Sequence, residues 1–233
     1  MREFCIVILN HFPEYARNLI ASIKRTHTVL PEILVICDRH QEALDDCKQR
    51  FAPGPFVFSK NTNMGFDSMP GKDIILLNDD MECVEKEFFP NLVAISYKYK
   101  DCGILSPLID GGVGNELQQY PPVKIWKALS SPEIIIDRTV CFPCVYIKRE
   151  MIDEIGGLDG TFVHYGFDDD DYCIRARAVG WRTMITKSLH IKHGSGGSQL
   201  LRGSNWSCSF AKVEDPESNI DIFLKKYPQL RAK

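Results

Sequence analysis

Ile74-Ile75-Leu76-Leu77 passes without a break into Asn78-Asp79-Asp80. A short apolar run bounded by turn-forming residues is the pattern of a buried strand. Where such a strand ends in adjacent carboxylates, negative charge collects at a sheet edge, and a cation or strong hydrogen-bond donors must stand nearby. A divalent metal carrying a phosphorylated ligand answers that need. Asn and Asp are also ordinary turn residues, so a plain Asx turn explains the triplet equally well from local sequence.

Upstream, the chain alternates strand and helix signals. Residues 4–9 form a continuous apolar run, Pro13–Thr26 carries Tyr15, Leu19, Ile20 and Ile23 at helical spacing, and residues 33–37 are again apolar. Residues 41–50 are expected to be a second helix and 56–58 a short strand. This is the repeating order of a parallel sheet covered on both faces, in which ligands bind beyond the carboxyl ends of the strands. Asn10-His11, Asp38 and Asn78-Asp79-Asp80 would share that rim. Asn63-Met64-Gly65-Phe66 is expected in a polar loop, where Gly65 supplies a positive φ.

Downstream, residues 103–109 and 140–147 are expected strands, Arg149–Ile155 a short helix stopped by Gly156-Gly157, 170–179 a helix closed by Gly180, and 182–186 a further strand. Residues 219–227 are expected to pack as a last helix. Asp168-Asp169-Asp170-Asp171 opens the helix before Gly180. Carboxylates there can cap free N–H groups, and Asp171 can pair with Arg175 four residues on. Four in a row exceed what one cap needs, and a carboxylate so placed is a candidate general base for an alcohol nucleophile. Of His190 and His193, the latter adjoins Gly194-Ser195-Gly196-Gly197-Ser198 and is the better candidate ligand. That glycine-rich run, with the stretch to about Cys208, is expected to be either a closing lid or a surface loop. Oxygen ligands with one imidazole suit Mn²⁺ or Mg²⁺.

The 233 residues, 44% hydrophobic, suffice for one substantial core, and a formal charge of -3 offers no excess of basic residues for nucleic acid. No run is long enough for a transmembrane segment, and the first apolar stretch is short for a signal peptide, so a cytoplasmic location is expected. The nine cysteines are odd in number and sit mostly in apolar patterns, as reduced buried thiols do. Cys141-Phe142-Pro143-Cys144 has redox or metal spacing but no second pair, and a structural role is the expectation.

Taken together, these residues resemble the nucleotide-sugar glycosyltransferases of the GT-A fold, most of all the inverting family 2. Asn63-Met64-Gly65-Phe66 is similar to that family's Asn-x-Gly-Phe segment and Asn78-Asp79-Asp80 to its Asp-x-Asp metal region. Gly156-Gly157-Leu158-Asp159, Tyr165-Gly166-Phe167-Asp168-Asp169-Asp170-Asp171-Tyr172-Cys173-Ile174-Arg175, Gly180-Trp181-Arg182 and His193 resemble its later motifs in order. The resemblance implies an α/β fold of one domain over 1–233. Its open, mostly parallel Rossmann-like sheet would have a nucleotide-sugar half at 1–110, and an acceptor half at 111–233 with a small antiparallel extension. It implies a UDP-sugar as the expected donor, with guanosine and deoxythymidine forms open, a glycan or glycoconjugate acceptor, and Mn²⁺ or Mg²⁺. By the same resemblance Asp169 would be the catalytic base and Asp168 would orient the acceptor. His11, Asp38, Asn63, Gly65, Asn78 and Asp79 would contact the nucleotide sugar, while Asp80 and His193 would hold the metal. Two positions depart from the pattern, Asn78 for the first metal-motif acid and Asp168 for a glutamate.

A nucleotidyltransferase acting on sugar phosphates is the nearest rival, but Asn10-His11-Phe12-Pro13 lacks a glycine-rich phosphate loop. A catalytically inactive sugar-nucleotide-binding module is the alternative from a different class.

Overall fold

The computed structural model describes residues 3–38, 41–112, 115–122, 131–136, 139–163, 165–194 and 218–230. The opening unit is strand β1 (Phe4–Asn10), helix α1 (Pro13–Thr26) and strand β2 (Glu32–Cys37), followed by β3 (Lys48–Phe51). Helix α2 (Phe58–Ser68) leads into β4 (Asp73–Asn78) and the two-residue β5 (Met81–Glu82). Helix α3 (Phe88–Ser96), β6 (Cys102–Asp110), β7 (Glu133–Ile136) and β8 (Cys144–Ile147) come next. Helices α4 (Arg149–Ile155) and α5 (Asp168–Ala178), strand β9 (Arg182–His193) and helix α6 (Asn219–Lys226) complete the order.

The strands join one sheet in the order β3-β2-β1-β4-β8-β6-β9-β5, with β7 added to β9. β3, β2, β1 and β4 run parallel, whereas β8 enters antiparallel between β4 and β6. β9 is parallel to β6 and antiparallel to β5 and β7. Alternation along β1 divides the core between the two faces. Ile6 and Ile8 join Leu19 and Ile23 of α1 and Phe88, Phe89 and Leu92 of α3 on one side. Cys5, Val7 and Leu9 join Phe58 and Phe66 of α2, Met151 of α4 and Tyr172 of α5 on the other.

Several expectations are corrected. Residues 41–50 are not a helix: Asp46 sits at φ 61 and Lys48–Phe51 pairs with β2 as a sheet edge. The Gln49 side chain ties that turn together, accepting from the Leu44 amide and donating to the Glu42 carbonyl. Strand pairing here outweighs a weak helical pattern. Residues 56–58 are not a strand, since Phe58 begins α2, and the Asn63-Met64-Gly65-Phe66 segment lies inside that helix. Gly65 is needed for closeness, because a Cβ there would lie 2.5 Å from Val7 Cγ1 on β1. Helix α3, with Pro90 in its first turn where the missing N–H costs little, was not expected at all. The strand expected over 140–147 is confined to β8, and β9 runs on past residue 186 to His193. The eight cysteines among the described residues are all free thiols, Cys141 and Cys144 included.

Candidate functional site

The parallel pairing of β1 with β4 sets Leu9 opposite Asn78, so both strands discharge their polar ends at one rim. Asp79 Oδ2 accepts from Asn10 Nδ2 at 2.8 Å, the His11 amide at 2.7 Å and the Phe12 amide at 3.2 Å. Burial pushes this carboxylate up to about 6, although the His11 and Phe12 amides pull the other way. Three donors on one oxygen make Asp79 a fixture of the β1–α1 turn. Beside it, His11 Nδ1 lies 2.8 Å from Asp38 Oδ2, linking the ends of β1 and β2. Asn78 closes β4, its amide donating to the Pro143 carbonyl.

Asp80 is placed by the opposite side of the sheet. β5 pairs antiparallel with β9, Met81 opposite His193, and the Gly194 amide donates to the Asp80 carbonyl at 2.9 Å. The His193 imidazole thereby faces the Asp80 carboxylate, Nε2 to Oδ1 at 3.3 Å. Its Nδ1 donates to the Gly112 carbonyl. Gly111, at φ 137, lets the backbone pass so close that a Cβ would lie 2.3 Å from the His193 carbonyl oxygen. Burial lowers the pKa of His193, but its bond to Asp80 and the Asp80 charge raise it further, for a net increase. A ring whose Nδ1 is committed to a carbonyl presents Nε2 outward, the arrangement of a metal-ligating histidine. Among the described residues no group of three or more His, Cys, Asp or Glu side chains is arranged to hold a metal ion. A carboxylate and an imidazole nevertheless fit a cation whose remaining positions are filled by phosphate oxygens and water, as Mg²⁺ commonly is.

The second acidic cluster opens α5. Phe167 stands before it with φ 66, a conformation that a bulky residue adopts only when its surroundings hold it there. The four carboxylates that follow differ in their partners. Asp168 is 2% exposed, and its Oδ2 accepts from the Gly166 amide at 3.0 Å, while Oδ1 has no hydrogen-bond partner among the described residues. Burial first, and then the charge of Asp169, push it up to about 7. Asp169 is partly exposed at the surface but desolvated in its surroundings; that desolvation, with the Asp170 charge, also pushes it up to about 7. Asp170 accepts from the Thr139 hydroxyl at 2.5 Å. Asp171 is fully buried and held by Arg175 Nε at 2.8 Å, the Tyr227 hydroxyl at 2.7 Å and Lys226 Nζ at 2.6 Å. The expected pairing of Asp171 with Arg175 is present.

Tyr165, half-exposed at the surface, packs edge-on against Phe58 with ring centroids 5.2 Å apart, and its phenol is raised by desolvation and then by the charges of Asp169, Cys141, Asp168 and Asp80. Asn63, by contrast, is spent elsewhere: Nδ2 donates to the Leu158 carbonyl at 2.8 Å and Oδ1 accepts the Leu158 amide at 2.7 Å. With Gly65 packed on β1, both residues expected at the donor act as framework between α2 and its neighbours. His190 is likewise occupied, bonded to Glu85 and stacked on Tyr120 at 4.0 Å. In the expected glycine-rich loop, residues 195–208 lie outside the described residues. No helix among the described residues is long and apolar enough to cross a membrane.

No protein-family model matches the chain. It is 25% identical over 187 residues to the uncharacterized protein y4gI of Sinorhizobium fredii, covering 70% of this chain and 19% of that protein. It is 24% identical over 161 residues to the O-antigen biosynthesis protein RfbC of Myxococcus xanthus, covering 62% of this chain and 12% of that protein. The chain therefore spans less than a fifth of either curated relative. Among solved structures, GalNAc-T7 with UDP, GalNAc and Mn²⁺ superposes with a TM-score of 0.66 at 16% identity, over 83% of this chain and 43% of that one. S. aureus TarS residues 1–349 gives 0.62 at 14% identity, over 82% of this chain and 60% of that one. The mannosyltransferase PcManGT of Pyrobaculum calidifontis, with GDP-Man and Mn²⁺, gives 0.61 at 11% identity, over 99% of this chain and 70% of that one. The chain has the GT-A fold.

Proposed function

We propose that this chain is a metal-dependent inverting glycosyltransferase, moving a sugar from a nucleoside-diphosphate sugar to a hydroxyl of a glycan or other acceptor. The observation that carries the reading is the Asp80–His193 pair, Nε2 to Oδ1 at 3.3 Å, at the sheet rim beside the His11–Asp38 pair, in a chain with the GT-A fold. Two solved neighbours hold UDP or GDP-Man together with Mn²⁺, which supports the nucleotide-sugar and metal parts of the reading.

In this proposal Asp80 and His193 hold Mn²⁺ or Mg²⁺, which when bound would neutralise the diphosphate as it departs. The remaining work falls to the chain's own residues. His11 and Asp38, at the ends of β1 and β2, border the nucleoside, and Asp79 fixes the turn that carries His11. Asp169 takes the proton of the acceptor hydroxyl, whose oxygen attacks the anomeric carbon from the face opposite the leaving group, so the configuration inverts. A base titrating near neutrality is matched to that task. Asp168 turns its unpartnered oxygen to an acceptor hydroxyl. Residues 1–110 then form a donor half and 111–233 an acceptor half of one domain. Asn63 and Gly65 are left out of the donor contacts for the reasons given above.

A UDP-sugar is the proposed donor and a cytoplasmic location the proposed setting, the latter supported by free thiols throughout the described core. Calorimetric titration of uridine, guanosine and deoxythymidine diphosphates, with Mn²⁺ and then with chelator, tests the reading. Metal-dependent, base-selective binding is the expected result, and Asp169→Asn should keep that binding while losing transfer. A folded sample that binds none of the three would sink it.

A further inference from the structure

We propose that helix α6 is a clamp on the catalytic carboxylates, with Asn219 and Tyr227 as positioning residues for Asp168 and Asp169. The inference rests on the reading of Asp169 as the base, and it concerns contacts made from the far end of the chain.

Asn219, the first residue of α6, uses its whole amide on the turn that precedes α5. Nδ2 donates to the Val163 carbonyl at 2.7 Å and to the Gly166 carbonyl at 2.9 Å, and Oδ1 accepts the Val163 amide at 2.8 Å. Gly166 is also the residue whose own N–H donates to Asp168 Oδ2, so Asn219, by holding the Gly166 carbonyl, anchors the residue that aims that carboxylate. Phe223, 7% exposed, packs on Phe167 with ring centroids 5.0 Å apart. That contact braces the positive-φ residue from which Asp168 and Asp169 depart.

The other end of α6 grips the first turn of α5 from below. Tyr227 Oη donates to Asp171 Oδ1, and Lys226 Nζ bridges Asp171 and Asp159 at 2.6 and 2.7 Å. Arg175 completes the lock, bonding Asp171 and the carbonyls of Ile155 and Gly157. The turn before the acids and the turn that carries them are thus held by one short helix, itself capped by Ser218 accepting from the Asp221 amide. Catalytic groups must be held to within a fraction of an ångström, so a clamp of this kind should show in turnover more than in donor affinity.

The test compares Asn219→Ala, Tyr227→Phe, Asp169→Asn and the exposed-face control Ile220→Ala with the wild type. It reads kcat and KM for hydrolysis of UDP-glucose or GDP-mannose, whichever binds, together with nucleoside diphosphate affinity and melting temperature. Asn219→Ala should lower kcat at least tenfold and Tyr227→Phe at least threefold, with nucleotide affinity within twofold and Ile220→Ala unchanged. Tyr227→Phe keeps its ring on Phe223, so it decides the matter if Asn219→Ala does not fold. Turnover within twofold of wild type in both variants, with Asp169→Asn inactive, overturns the clamp alone. Loss of kcat and nucleotide affinity together also overturns it, because the helix would then only be stabilising the whole domain. An Asp169→Asn enzyme as active as wild type overturns the site reading, and the clamp with it.

Discussion

Replacing Asp168 by Asn should make the protein more stable at pH 8 and much less so at pH 5. Asp168 is 2% exposed, accepts from the Gly166 amide and, among the described residues, leaves Oδ1 without a hydrogen-bond partner. Its pKa stands at about 7 against an ordinary 3.8, because burial and then the Asp169 charge disfavour the ionised form. A carboxylate with a raised folded-state pKa binds its proton more tightly in the folded chain. It therefore penalises folding in full above about pH 7, and the penalty shrinks as the pH falls toward 3.8. At 1.36 kcal/mol per pKa unit, the full penalty is about 4 kcal/mol. Asn keeps an acceptor for the Gly166 amide and carries no charge, so it escapes most of that cost. Between pH 8 and pH 5 the wild type recovers about 2–3 kcal/mol relative to the variant. Urea unfolding of both proteins with chelator present, at pH 5, 6, 7 and 8, measures the difference directly. A stability difference constant to within about 0.5 kcal/mol across that range, the size of an ordinary surface substitution, would show that Asp168 does not titrate near neutrality and refute the burial argument.

Gly65→Ala places a methyl 2.5 Å from Val7 Cγ1, so it should cost about 1–2 kcal/mol after its gain in helix propensity, and the cost should vanish in a Val7→Ala background. Strict additivity in urea unfolding of the double mutant would instead favour a positive-φ turn at Gly65. His193→Ala should weaken Mn²⁺-dependent nucleoside diphosphate binding tenfold or more and leave the chelator-treated value unchanged; an equal loss in both conditions removes His193 from the metal. Asp73→Ala strips the acceptor from the Tyr97 and Tyr146 hydroxyls, bonded at 2.7 and 2.9 Å, and from the Arg149 amide at 2.9 Å. It should destabilise by about 3–5 kcal/mol, and a loss below about 1 kcal/mol would mean those donors find water instead.

The strands β1, β2 and β4 and helices α1 and α4 were legible because their apolar runs and spacing are local properties that the sheet then uses directly. Helix α2 was not, because its buried positions include Ser59, Asn61 and Thr62, and a helix that buries polar residues shows no apolar stripe. Helix α3 failed the opposite way, being apolar almost all round and interrupted by Pro90. The segment at 41–50 misled because its pairing partner is β2, and no local pattern announces an edge strand whose own residues are largely exposed.

The two acidic clusters could be read from sequence because charge density is written in consecutive residues. Their division of labour could not, because it is set by partners far along the chain. Asp171 looked like its three neighbours until Arg175, Lys226 and Tyr227 closed around it, the last from 56 residues away. Asp79 looked like Asp80 until three donors from β1 and the start of α1 gathered on one oxygen. Asn63 looked like a ligand contact until both its amide atoms met Leu158, 95 residues on. A carboxylate whose oxygens are already taken cannot also bind a cation or receive a proton in turnover without breaking what holds it. That reasoning assigns Asp171, bonded at both oxygens, to the framework, whereas Asp79 commits only Oδ2 to the β1–α1 turn. It leaves Asp80, facing the His193 imidazole, and Asp169, bonded at Oδ1 to the Asp170 amide, with coordination to spare.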